Sequence, residues 1–243
     1  MAESIAEEEA PARHPVETEF DGKAATYESG RLAGWYKAHA MLLLAILGKE
    51  APPRRVLDIG CGTGFLLREL ARRNPGMSGM GIDLSGGMIE AARMAAWREG
   101  IDGLTFRQID WEDEEGVAQT QGSFDTVVCA NCLHYFDAPV AAIERMRGML
   151  GPGGRLLILD RAADGSPATL LWHFAHRFLI HDHVRFYTAT QLQSFAVAAG
   201  FPQAEVAARV RRILWEGKLN TSLAIIRAEA PQEPHHPPGQ ESS

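Results

Sequence analysis

Cysteine is scarce in this chain. Cys61, Cys129 and Cys132 are the whole complement of 243 residues, and the last two stand three apart. That is too few and too clustered for the disulfide framework of a small secreted domain. Long apolar runs are missing too. The strongest, around Ala40 to Leu47, falls far short of the roughly 20 residues that span a bilayer. The N-terminus has no basic segment followed by an apolar one, so it does not read as a secretion signal. A cytoplasmic protein with no membrane span is expected. The body also lacks an excess of charge. The formal net charge is −7, but residues 1–20 hold −5 of it and the tail from Glu229 another −3, which leaves +1 for residues 21–228. A nearly neutral body offers no electrostatic footprint for a polyphosphate, so no nucleic-acid partner is expected.

What is present reads as one domain between two tails. Residues 1–18 are acidic, contain Pro11 and Pro15, and are expected to form a disordered arm. Residues 229–243, with four prolines and two adjacent histidines, are expected to be a disordered tail. From 19 to 228 short apolar runs alternate with amphipathic stretches. Strands are predicted at Arg55–Ile59, Met77–Ile82, Leu104–Ile109, Phe124–Ala130 and Arg155–Asp160. Helices are predicted at Arg31–Leu47, Phe65–Arg73, Gly87–Trp97 and Val140–Leu150. The strands are continuously apolar rather than alternating, as when helices cover both faces of a parallel sheet. Thr188-Ala-Thr-Gln191 opens a further helix with a capping box, closed by Gly200. Glu205–Leu214 and Thr221–Arg227 then suggest an antiparallel hairpin at the sheet edge. The expected fold is α/β, a Rossmann-like doubly wound sheet of five parallel strands plus that hairpin.

The strongest chemical signal is Val56-Leu-Asp58-Ile-Gly60-Cys-Gly62-Thr63-Gly64, at the first strand-to-helix turn. Glycines let a ligand approach the backbone at the amino end of the next helix. A bare tight turn would not need three of them. The dinucleotide fingerprint is G-x-G-x-x-G, whereas the spacing here is G-x-G-x-G with Asp58 two residues ahead. The second strand ends in Gly81-Ile-Asp83-Leu-Ser85. A carboxylate there can accept from both hydroxyls of a ribose, whichever nucleoside carries it. The third strand ends in Gln108-Ile-Asp110-Trp111. An acid beside an aromatic suits an adenine, although Trp111 taken alone is as much a core residue.

Together these motifs, in this order, resemble the class I S-adenosylmethionine-dependent methyltransferases from about Phe20 to Arg227. The N-terminal Phe20-Asp21…Ala24-Ala25-Thr26-Tyr27 is most similar to the branch that holds ubiquinone and menaquinone methyltransferases and many natural-product enzymes. The resemblance implies S-adenosyl-L-methionine as cofactor. It makes Asp58 a cofactor-binding residue and places Gly60, Gly62 and Thr63 at the methionine end, Asp83 on the ribose, and Leu84 and Met88 beside the adenine with Asp110 and Trp111 at its edge. Ala130 and Asn131, closing strand four, would face the methionine moiety. Tyr27 would lie in a helical lid over about 20–47, with roles in cofactor binding and catalysis.

The acceptor side is less legible. Cys129-Ala-Asn-Cys132-Leu-His134-Tyr135-Phe136 lies at the carboxyl end of strand four, where open α/β sheets bind ligands. His134 is the candidate general base, since imidazole titrates near neutrality; a histidine simply packed under the loop is the plainer reading. The Cys129–Cys132 spacing is read as coincidence, because no second pair exists. His173, His176, His181, Asp182 and His183 could hold a metal, but an aromatic lid over about 165–187 is the favoured reading, with no metal. The expected activity is methyl transfer to a small, mostly apolar acceptor. The alternatives are a non-methylating reaction such as cyclisation on the same fold, methylation of RNA or protein, and a nicotinamide dehydrogenase, which the glycine spacing disfavours.

Overall fold

A computed structural model of the chain describes residues 14–30, 33–118, 124–163, 185–210, 213–215, 218–220 and 222–232. The sheet strands are β1 (Arg55–Ile59), β2 (Ser78–Asp83), β3 (Leu104–Gln108), β4 (Phe124–Ala130), β5 (Leu150–Ala162), β6 (Glu205–Val210) and β9 (Ser222–Glu229). They form one seven-stranded sheet in the order β3-β2-β1-β4-β5-β9-β6. The first five pair in parallel. β9 runs antiparallel to both β5 and β6. Two short strands, β7 (Ile213–Trp215) and β8 (Lys218–Asn220), make a separate ribbon. The expected hairpin is therefore present but differently built. Its first run splits at 210, and its second strand lies inside the sheet rather than at the edge.

Helices α1 (Pro15–Lys23), α2 (Ala33–Leu47), α3 (Phe65–Arg73), α4 (Gly86–Arg98), α5 (Glu114–Ala118), α6 (Pro139–Gly148) and α7 (Ala189–Ala198), with 3-10 turns at Ala24–Thr26 and Leu133–Tyr135, complete the described elements. None is long and apolar enough to cross a membrane. The unbroken apolar strands have a direct cause. Val56, Val128 and Leu157 pack on one face of the sheet against α2, α3 and α4, through Leu43, Leu67 and Ile89. Their neighbours Leu57, Val127 and Ile158 pack on the other against α6 and α7, through Ile143 and Leu192. Successive side chains point to opposite faces, so burial on both removes the polar alternation. A fully buried aliphatic side chain contributes about 1.5–3 kcal/mol, and the sheet's centre is made almost wholly of such residues.

Local chemistry sets the ends. α7 starts where Thr188 Oγ accepts the Gln191 N–H (3.1 Å) while the Gln191 side chain accepts the Thr188 N–H (2.8 Å). α1 starts at Pro15, a residue suited to a first helical position. Residues 15–18 thus belong to a helix, which corrects the arm boundary expected at 18; residues 1–13 lie outside the described residues. At the other end β9 reaches Glu229, and the Ala230 N–H donates to the Gly154 carbonyl at 2.7 Å. The boundary expected at 229 is therefore corrected, and residues 233–243 lie outside the described residues. So do residues 164–184, with the histidine-rich segment and most of the second expected lid.

The chain builds β1, β2 and β3 outward in one direction, then returns to place β4 on the other side of β1. That reversal leaves a crevice at the carboxyl ends of β1 and β4, the usual ligand position in such sheets.

Candidate active site

A cavity of about 270 Å³ fills this crevice, lined by residues that include Phe20, Gly60, Asp83, Trp111, His134 and Arg161. A second cavity of about 70 Å³, lined also by Asp58, Thr63 and Phe65, shares Tyr27, Tyr36, Gly60, Gly62, Ala130 and Asn131 with the first. The loop after β1 lies between them. Gly60 (φ 69°) and Gly62 (φ 53°) occupy the left-handed region that favours glycine. A Cβ on Gly60 would come within 2.6 Å of the Cys132 side chain, whereas one on Gly62 would point at the Tyr27 ring, 3.6 Å away. Gly60 thus lets the loop pack on Cys132, and Gly62 keeps the space under the Tyr27 ring open.

The carboxylates on the β2 side are held by main chain. Asp83 accepts the Gly62 N–H on Oδ2 (2.8 Å) and the Ser85 N–H on Oδ1 (2.9 Å). Each oxygen keeps a lone pair for a further donor. Burial, opposed by these main-chain donors, raises the Asp83 carboxyl above its ordinary range. Asp58 lies deeper and is raised to about 8, first by burial and then by the charge of Asp83. Asp21 of α1 accepts from the Ser85 hydroxyl (2.5 Å) and the Gly87 N–H (2.9 Å), fastening the N-terminal segment to the start of α4.

That segment covers the cavity. Tyr27 stacks on Tyr36 with centroids 4.3 Å apart, and Phe20 meets Tyr135 edge-on at 5.8 Å. Burial foremost, with Tyr36 beside it, pushes the Tyr27 hydroxyl well up, so the ring stays neutral. Arg68 of α3, almost completely buried, binds Glu28 from this segment and Glu99 from the end of α4.

The other wall is built from α2, β4 and β5. Asn131 leaves β4 with φ 56°, the single described non-glycine residue at positive φ, and its N–H donates to the Leu159 carbonyl at 2.8 Å. Asn tolerates this conformation, and such outliers gather at ligand sites. His39 Nδ1 lies 2.9 Å from Asn131 Oδ1, so that nitrogen carries the proton. Burial above all lowers the His39 pKa to about 4, which keeps the ring neutral. His134 follows on a 3-10 turn. Its Nδ1 is 2.6 Å from Asp160 Oδ1, and its main-chain N–H donates to Asp160 Oδ2 at 3.1 Å. An ionised carboxylate only accepts, so Nδ1 bears the proton and Nε2 presents a lone pair. Nε2 is buried without a partner among the described residues, and His134 lines the cavity.

Of the residues expected from sequence, Tyr27, Gly60, Gly62, Asp83, Leu84, Asp110, Trp111, Ala130, Asn131 and His134 line the larger cavity. Asp58 and Thr63 line the smaller. Met88 lines neither; it is fully buried in α4, where its N–H donates to Ser85 Oγ. Trp111 is both wall and core, with its indole N–H donating to the Ala142 carbonyl at 3.2 Å. Sequence reasoning gave no individual role to Asp21, His39, Asp160 or Arg161. For Asp160 there was a signal, an acid closing Leu156-Leu-Ile-Leu159, a run with no other polar residue. Cys129 and Cys132 are free, with sulfurs 3.0 Å apart. No group of His, Cys, Asp and Glu among the described residues could hold a metal ion.

Comparison with known proteins fits this geometry. A family model described as a methyltransferase domain matches residues 34–205. A ubiquinone biosynthesis O-methyltransferase of Aeromonas salmonicida (strain A449) is 32% identical over 154 residues, 60% of this chain and 62% of that protein. The chain thus spans less than two thirds of that relative's length. Among solved structures, the magnesium protoporphyrin IX methyltransferase of Synechocystis PCC 6803, determined with bound SAH, aligns with a TM-score of 0.66 at 21% identity, over 88% of this chain and 94% of that one. The [4+2]-cyclase SpnF aligns with a TM-score of 0.67 at 18% identity, over 89% of this chain and 96% of that one. At these identities the structural likeness establishes the fold.

Proposed function

This chain belongs to the methyltransferase-domain family, as a class I member by its sheet, and from that premise we propose that it moves a methyl group from S-adenosylmethionine to a small, mostly apolar acceptor. The observation that carries the proposal is the juxtaposition of two unlike walls across one cavity: carboxylates and a glycine cradle on the β1–β2 side, and an imidazole with a free Nε2 on the β4–β5 side. The residues fit the cofactor. Gly62 leaves the space a Cβ would fill, Asp83 retains accepting capacity for a ribose hydroxyl, and Asp110 and Trp111 suit an adenine edge. Thr63 and Asp58 would receive the methionine end. When bound, S-adenosylmethionine supplies an electrophilic methyl on a sulfonium.

The protein then has little covalent work to do beyond alignment, water exclusion and one proton transfer. Phe20, Tyr27 and Tyr36 close the cavity against water. His134 Nε2 takes a proton from the acceptor's attacking atom, and Asp160 fixes the tautomer and stabilises the imidazolium, as a carboxylate does for a paired histidine. Asp160 acts through His134 and is a positioning residue. A small acceptor is supported by the aromatic-rich lining of the cavity. Three free thiols are compatible with a reducing cytoplasmic setting.

Incubation with S-adenosylmethionine carrying a deuterated methyl, and a panel of small hydroxylated apolar compounds, tests the proposal by mass spectrometry. Transfer of the labelled methyl together with release of S-adenosylhomocysteine is the expected result. Consumption of a compound to a product of unchanged mass would instead establish a rearrangement or cyclisation on this scaffold.

A further inference from the structure

We propose that Arg161 forms an anion subsite in the acceptor half of the cavity, so that the acceptor is an acid whose carboxylate is held by this guanidinium. The inference rests on the methyl-transfer reading and deepens it. Arg161 sits near the carboxyl end of β5, pairs with Leu223 of β9, and lines the larger cavity. Its guanidinium lies over the Trp35 ring, 5.4 Å from the centroid. Trp35 is buried in α2 and itself packs on His39, so the platform is fixed.

Among the described residues Arg161 is the one arginine that lines the cavity, and its side chain has no acceptor; Arg147, whose Nε is likewise buried without a partner, does not line it. The Arg161 Nε is buried with no hydrogen-bond partner, and among the described residues no carboxylate or carbonyl receives any N–H of its side chain. Arg68, Arg155 and Arg227, by contrast, each bind carboxylates: Glu28 and Glu99, Glu50, and Glu50 with Glu205 and Glu229. The adjacent Asp160 is committed elsewhere. Its Oδ1 accepts from His134 Nδ1 and from the Arg161 main-chain N–H (2.7 Å), and its Oδ2 from the His134 N–H. The acids on the far wall are also engaged. Asp83 holds the glycine loop, Glu112 accepts the Asp137 N–H, and Asp137 binds Arg185. A guanidinium with a buried, unsatisfied donor is costly to keep, and a carboxylate matches its fork geometry in a bidentate pair. The charge is already felt nearby, for it contributes to holding His39 neutral.

The same chemistry could come from the methionine carboxylate of the cofactor. The structure favours the acceptor. The smaller cavity on the glycine-loop side has its own cation, Lys37, and Arg161 does not line it. Arg161 and His134 line the same larger cavity, and that cavity is where the attacking atom must be.

The test uses 2-naphthoate and 2-naphthamide, which match in shape and differ in charge, titrated by calorimetry into the full chain saturated with S-adenosylhomocysteine. The carboxylate should bind roughly tenfold or more tightly, as expected of a charge-assisted pair. Arg161→Met should erase the preference, Arg161→Lys should keep part of it, and both should bind S-adenosylhomocysteine as the unaltered protein does. Equal binding of the two probes to the unaltered protein would overturn the proposal, and that comparison needs no variant to fold. A loss of S-adenosylhomocysteine affinity in a folded Arg161→Met would overturn it too, assigning the residue to the cofactor. Failure of the unaltered protein to bind S-adenosylhomocysteine at all would sink the methyl-transfer reading instead.

Discussion

On the β1–β3 side the carboxylates Asp58, Asp83 and Asp110 line the two cavities, with Asp21 behind them, whereas the β4–β5 side presents His134 and Arg161, backed by Asp160 and His39. The two sides differ in how they are held as well as in charge. Asp83 is oriented by the main-chain N–H groups of Gly62 and Ser85. On the other side the ring nitrogens are held by side chains, His39 by Asn131 and His134 by Asp160. A side fixed by backbone donors suits a constant ligand; a side fixed by side chains can be altered one residue at a time. That division suits an enzyme family with one donor and many acceptors.

The comparison breaks most sharply at His134. His134→Ala should lower turnover about 10²–10³-fold, in line with the usual contribution of a general base, while affinity for S-adenosylhomocysteine stays the same. Asp160→Asn should also lower turnover, by less, because the imidazole remains but its tautomer is no longer fixed. Unchanged turnover in folded His134→Ala would leave alignment alone as the source of catalysis. The reciprocal change is Asp83→Ala, expected to weaken S-adenosylhomocysteine by about 2–3 kcal/mol, the value of charge-assisted hydrogen bonds; calorimetry that finds no loss in a folded variant removes Asp83 from the cofactor site. Tyr27 joins the two halves, so Tyr27→Ala should cost several-fold in both affinity and turnover, on the order of 1 kcal/mol for a lost aromatic stack. Tyr27→Phe should be near neutral, and a loss in Phe would point to the hydroxyl.

A smaller effect sharpens the acid side. With Asp58 raised to about 8 from an ordinary 3.8, the ligand-free native state binds a proton that the unfolded chain releases. Its contribution to stability is therefore fully present below about pH 4 and is lost as pH rises through 8. Urea unfolding at pH 6 and pH 8 should show that decline, and Asp58→Asn should flatten it. The smallest effect expected is none: exhaustive chelation should leave turnover and melting temperature unchanged, whereas stoichiometric zinc in tag-free protein would reinstate a metal site in the histidine-rich segment.

Locality decides what could be read from the sequence. β1, α3 and β4 fall at the predicted residues because their signals are local: unbroken apolar runs, a glycine turn, a charged helix end. The Thr188 cap and the positive φ of Gly200 were equally local. Asp83 and His134 were legible because each closes or follows a strand with a recognisable motif. His39 was not, since it sits within an apolar helix and only the approach of Asn131 gives it a role. Arg161 reads as an ordinary polar residue ending a strand until its lack of a partner is seen. The split of Glu205–Leu214 into β6 and β7 was hidden because both pieces share one β-favouring composition, and pairing with β9, not propensity, decides where the strand stops.

The place of β9 bears on the order in which the molecule can come into being. β6 precedes it in the chain yet has no neighbour in the sheet except β9, and β5 has an open edge until β9 slides between them. As the polypeptide leaves the ribosome, the glycine cradle and Asp83 can assemble from the first 108 residues, while the strand that carries Asp160 and Arg161 waits for residues 222–229 to be made. Non-local pairing of this kind is slow and leaves apolar edges exposed meanwhile. A nascent chain paused between β6 and β9 would hold half of the crevice formed and the rest unsupported, and this is the interval in which early cofactor binding could do most to protect it.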